Sequence, residues 1–171
     1  MPSVLPKFGS DRIVVLGLQG YGKTTLVKRM ITGNRHIIYD PLKEYSFLNS
    51  RTCSLDVFHD ELELFGEGYV VFEEASQYLR RSNISQRSLA YFDVHRHMSQ
   101  SPIIVCRRPV QLHPDVMELA TKIFVFTLPG AADRSALESM APGLGDIARA
   151  IPKYGYVWVD EGRKVHDRPL V

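Results

Sequence analysis

The chain has 171 residues, of which 44% are hydrophobic and 23% charged. That length suits one domain with a sizeable core, and that balance excludes a disordered chain. A net charge of +2 permits a nucleic-acid partner without demanding one, so any basic surface must be local.

The two cysteines, Cys53 and Cys106, lack metal-ligand spacing and suggest no disulfide framework, which fits a reducing, cytoplasmic compartment. Met1 to Lys7 has no long apolar region and does not read as a signal peptide. No stretch approaches the ~20 apolar residues of a membrane-spanning helix. Repeats and low-complexity tracts are not seen either, so residues 1–171 read as a single domain.

Residues 1–11 read as an irregular lead-in with Pro2 and Pro6. The β-branched run Ile13-Val14-Val15 then predicts a buried strand within Arg12 to Leu16. It runs into Gly17-Leu18-Gln19-Gly20-Tyr21-Gly22-Lys23-Thr24, which fits G-x-x-x-x-G-K-[ST], the phosphate-binding P-loop. Glycines there let the backbone turn tightly and aim N–H groups at phosphate oxygens. The nucleotide-binding residues read from this motif are Gly17, Gln19, Gly20, Tyr21, Gly22, Lys23, Thr24 and Thr25. Lys23 reaches the β- and γ-phosphates, and the Thr24 hydroxyl is a Mg²⁺ ligand. The apolar positions Leu26, Val27, Met30 and Ile31 predict a helix whose positive end faces the same phosphates. A Gly-rich turn with an exposed lysine is the plain alternative. Strand, loop and helix together argue against it.

Thr32-Gly33-Asn34 stops that helix, and His36 to Pro41 reads as a second strand of a βαβ unit. Cys53 to Phe58 reads as a further short strand, and His59 to Phe65 as one or two helical turns. Gly68-Tyr69-Val70-Val71-Phe72 predicts a central strand buried on both faces. Glu73 and Glu74 follow at its end, where α/β proteins bind ligands. Glu73 fits the Mg²⁺-associated carboxylate, acting through ion-bound water, and Glu74 the group that orients attacking water. Alternatively they are solvated acids opening a helix from Ala75 to Leu79.

Arg80 to Arg87 is a polar, basic connection that suits either solvent or a phosphate backbone. Ser88 to Gln100 reads as a helix with Leu89 and Phe92 inward. His95 and His97 diverge on it, which rejects a zinc site. Pro102 to Cys106 and Lys122 to Thr127 predict buried strands, and Pro114 to Ala120, Asp133 to Met140 and Leu144 to Ala150 predict short helices. Tyr154 to His166 predicts a C-terminal β-hairpin. The sum is an α/β fold: a mainly parallel sheet flanked by helices, of the RecA/ASCE-like P-loop NTPase type.

This order of parts resembles the FtsK–HerA superfamily of P-loop ATPases, and within it the small genome-packaging ATPases of tailless viruses with an internal membrane. The resemblance rests on Ile37 to Pro41 with Glu44-Tyr45, on Glu73-Glu74, on Arg96-His97, and on Ile103 to Cys106 followed by Arg107-Arg108-Pro109. It departs from the family pattern at Glu73, where aspartate is usual, and at Arg107, where glutamine senses the γ-phosphate. The resemblance implies ATP and Mg²⁺ as cofactors, a hexameric ring, and DNA gripped by its backbone with little sequence preference. Arg96 is implied as the arginine finger given to a neighbouring subunit, with Arg134 second in line. Portal or membrane-vertex proteins of the virion are implied partners, and the host cytoplasm and the virion the implied location. Two other functions fit the motifs: a small-molecule or nucleotide kinase, with Arg80, Arg81 and Arg87 as a lid, and a non-catalytic nucleotide-binding assembly module.

Overall fold

The computed structural model describes residues 11–45 and 51–168. The expected lead-in, residues 1–10, lies outside them. In chain order the first elements are β1 (Ile13–Leu16), α1 (Lys23–Ile31), β2 (His36–Tyr39), β3 (Arg51–Thr52), α2 (Leu55–Phe65) and β4 (Gly68–Phe72). Next come α3 (Gln86–Val94), β5 (Gln100–Cys106), α4 (Pro114–Glu118), β6 (Lys122–Val125), α5 (Ala131–Met140) and α6 (Leu144–Ala150). The hairpin β7 (Tyr156–Val159) and β8 (Val165–Arg168) ends the described chain.

All the strands join one sheet in the order β3-β2-β4-β5-β1-β6-β7-β8. The strands from β3 to β6 in that order run parallel, and β7 and β8 add antiparallel at one edge. β1, β4 and β5 are buried at every residue, as strands covered on both faces must be. Their side chains alternate between two cores. Ile13, Val15, Val71, Ile103 and Val105 meet Leu26, Val27, Met30 and Ile31 of α1. Val14, Leu16, Val70, Phe72 and Ile104 meet the opposite face, built on α2 to α6. Burying each large apolar side chain of α1 contributes roughly 1.5–3 kcal/mol, which pins the start of that helix at the end of β1.

The structure corrects three boundaries. Cys53 to Phe58 is not a strand: the strand ends at Thr52, and α2 begins at Leu55. Leu55, Phe58, Leu62 and Phe65 recur at helical spacing along a single face, which outweighs the short alternation at Cys53, Leu55 and Val57. The predicted helix from Ala75 is a 3₁₀ turn over Ala75–Gln77, because Glu74 is left-handed at φ 49° and Tyr78 turns out at φ −140°. The helix expected over Ser88 to Gln100 starts at Gln86, capped by Ser85, whose hydroxyl accepts from the Ser88 N–H at 3.0 Å. It ends at Val94. His95 turns inward, where its Nδ1 lies 2.9 Å from the Gln100 carbonyl and its carbonyl accepts the Gln100 N–H.

Candidate active site

A cavity of about 310 Å³ opens at the C-terminal ends of the parallel strands. It is lined by Gln19, Gly20, Gly22, Lys23, Thr24 and Thr25 of the loop and first turn of α1, with Glu44, Glu73, Glu74 and Tyr154 opposite. The loop conformation depends on its glycines. Gly17 has φ 149°, and a Cβ there would stand 2.5 Å from that of Phe126. Gly22 caps α1 at φ 106°. No side chain caps that helix, and no acid stands in its first turn, so its N–H groups and positive end face the cavity. Lys23 donates to the Leu18 carbonyl across the loop at 3.0 Å. Burial pushes the pKa of its ammonium down, while Glu73 and Glu74 pull it back up. Tyr21 packs its ring against the α1-side core, leaving its backbone to the loop.

β5 lies between β1 and β4, so Glu73 and Glu74 reach the cavity from a strand that does not touch the loop's own strand. Glu73 extends β4, its N–H donating to the Tyr39 carbonyl at 3.1 Å. Its side chain is 4% exposed and accepts a hydrogen bond from the Tyr45 hydroxyl. Asp40 sets this up: its carboxylate takes the N–H groups of Glu44 at 3.0 Å and Tyr45 at 2.9 Å, placing Tyr45 under Glu73. Glu44 in turn accepts from the Thr24 hydroxyl at 2.7 Å. Burial raises the Glu73 carboxyl to about 7, against the Tyr45 hydrogen bond, which lowers it.

That shift predicts a pH-dependent stability. A carboxyl raised in the folded state contributes its stability fully below its unfolded value near 4.5 and loses it as pH rises through about 7. Glu73→Gln keeps the shape and removes the buried charge. Without nucleotide or metal, the variant should match the parent near pH 4.5 and exceed its stability above pH 7 by up to about 3 kcal/mol. Thermal unfolding across that range reads the difference, and a difference that stays constant with pH would refute the buried charge as its cause.

Glu74 stands in the left-handed region and is held by Arg107 from the end of β5. The guanidinium donates to one Glu74 oxygen twice, from Nη2 at 2.8 Å and from Nε at 3.2 Å. The neighbouring Arg108 turns away to Asp133, in the first turn of α5, at 2.9 Å. Arg96 is not brought to the cavity. It lies exposed in the turn between α3 and β5, at the N-terminal ends of the strands. Arg134 sits on α5 with its Nη1 4.0 Å from Asp146.

No protein-family model and no curated protein matches the sequence. Solved structures do match. The genome packaging NTPase B204 from Sulfolobus turreted icosahedral virus 2, in complex with AMPPCP, superposes with a TM-score of 0.80 at 16% identity, over 96% of this chain and 100% of that one. B204, the DNA-packaging ATPase from Sulfolobus turreted icosahedral virus, gives 0.79 at 17% identity, over 94% and 98%. The pCW3 conjugation coupling protein TcpA, with ATPγS, gives 0.66 at 13% identity, over 91% of this chain and 58% of that one. This chain has the P-loop NTPase fold of the packaging enzymes. The fold expected from the order of its motifs is therefore the fold found.

Two cavity residues and one that borders the cavity were not among the site residues read from the sequence. Glu44 and Tyr154 line the cavity, and Arg107 borders it through Glu74. Glu44 and Arg107 carried a signal, as parts of the stretches that support the resemblance. Tyr154 carried none. It stands half-exposed at φ 68°, brought to the cavity by the turn between α6 and β7.

Proposed function

We propose that this protein hydrolyses ATP to move DNA, as the packaging motor of a virus, in a hexameric ring of identical chains. One observation carries the reading. The P-loop and the carboxylates that follow β4 converge on one cavity, on a fold shared with genome-packaging NTPases over almost the whole chain. In this reading the loop's N–H groups and Lys23 hold the β- and γ-phosphates, and Tyr154 offers the base a flat face. Thr24 would hold Mg²⁺ directly and Glu73 through water, and the ion would offset phosphate charge. The donor set suits that ion. The Thr24 hydroxyl and the Glu73 carboxylate are oxygen donors lining the cavity, and Mg²⁺ binds through one or two such protein groups, phosphates and water. Glu74 orients the attacking water. Portal or membrane-vertex proteins would complete the motor, in the host cytoplasm and at the virion. Among the described residues no helix is long and apolar enough to cross a membrane.

Arg96 lies at the end of the strands away from its own cavity, which supports action on a neighbouring subunit. Steady-state hydrolysis with Mg²⁺, with and without DNA and over a range of protein concentration, tests the whole reading. The rate should rise with both. A rate indifferent to DNA and concentration would remove the motor, and turnover that needs a phosphate acceptor would make the protein a kinase. Arg96→Ala should lower turnover at least about tenfold while leaving nucleotide binding intact. Mixing it with Lys23→Ala chains should restore part of the activity, since some interfaces then pair an intact loop with an intact finger. Absence of any restoration would place Arg96 outside a shared site.

A further inference from the structure

Arg107 pairs with Glu74 at the edge of the cavity that Lys23 lines. It is fixed beside the phosphate loop, because the Gly17 N–H donates to the carbonyl of Cys106 at 3.3 Å. It acts on the charge of Lys23, as Glu73 and Glu74 do, so all of them share one electrostatic cluster. Its fork is directed at Glu74, whose side chain is only 14% exposed. A terminal phosphate entering beside Lys23 offers that fork a stronger, more highly charged partner of matching geometry.

We propose that Arg107 exchanges partners, holding Glu74 until ATP enters and then passing to the γ-phosphate, which frees Glu74 for water. The inference rests on the ATPase reading above. The Glu74 oxygen that accepts both N–H bonds has its lone pairs engaged, so the closed pair leaves only the other oxygen to water. The pair also fixes the direction of a carboxylate whose backbone sits in a sparsely populated region. Glutamine at this position has no charge and would hold a carboxylate far more weakly. The exchange therefore follows from arginine in particular. It ties the release of the hydrolytic group to the presence of a γ-phosphate, so ADP leaves the pair closed.

Binding of AMPPCP and of ADP to the parent, Glu74→Gln, Arg107→Ala and the double variant tests the exchange. Glu74→Gln gives Arg107 up more cheaply, so it should bind AMPPCP roughly fivefold more tightly with ADP unchanged. Arg107→Ala should lose most of the preference for AMPPCP over ADP. In that background Glu74→Gln should no longer tighten AMPPCP. Equal or greater tightening in both backgrounds would mean that Glu74 merely repels phosphate, and would overturn the exchange. So would no tightening in Glu74→Gln alone. Arg107→Gln replaces the alanine variant if alanine does not fold. Failure of the ATPase reading looks different: the parent then binds neither nucleotide, or Lys23→Ala binds both as well as the parent.

Discussion

Lys23→Ala should weaken binding of AMPPCP by at least about 100-fold and remove ATP turnover. The ammonium is held over the loop by the Leu18 carbonyl, between the end of α1 that faces the cavity and the carboxylates beyond β4. A hydrogen bond to a charged group is worth about 1.5–3 kcal/mol, and Lys23 would make more than one to phosphate. About 2.7 kcal/mol corresponds to 100-fold in affinity. The fold should survive, because the loop is shaped by Gly17 and Gly22 and the helix is anchored by Leu26, Val27, Met30 and Ile31. Burial also opposes the charge of Lys23, so its removal costs the empty protein little. Calorimetric titration with AMPPCP, beside a thermal melt, reads both. Binding that remains within a few-fold of the parent would move the phosphates away from this loop.

What the sequence made legible here was local. The run Ile13-Val14-Val15, the glycines and Lys23 sit within a dozen residues, so strand, turn and helix each announced the next. The same holds for Gly68 to Glu74, where apolar residues give way to acids at the end of a strand. Contacts across the sheet were not legible. That β5 lies between β1 and β4 is a fact of topology, and it alone brings Arg107 to Glu74. Tyr154 reaches the cavity from the far end of the chain by a turn that no motif marks. The start of α2 is hidden in the sequence because the five residues Cys53 to Val57 alternate apolar and polar and fit a strand until Phe58, Leu62 and Phe65 extend the helical face. The alternative reading of Glu73 and Glu74 has them opening a helix from Ala75 to Leu79, and the left-handed backbone of Glu74 reduces that helix to a single 3₁₀ turn. The local rule fails at the residue assigned to the chemistry, where such failures are expected.

Glu74→Gln should keep ATP bound and slow hydrolysis by at least about 100-fold, the lower end of what a positioned general base contributes. Glutamine preserves the shape and an oxygen for Arg107, so the end of β5 and the turn after β4 should stay in place. It has no negative charge with which to polarise water. Single-turnover hydrolysis of bound ATP separates this from a binding defect, since affinity should rise about fivefold while the chemical step falls. A rate within a few-fold of the parent would take the base role from Glu74. Glu44 and Glu73 are the other carboxylates of the cavity, and neither is free as the structure stands: Glu44 accepts from Thr24, and Glu73 from Tyr45. Glu74 is also engaged, but by Arg107, whose partner can change with the nucleotide. That difference makes Glu74 the carboxylate whose availability a γ-phosphate can govern.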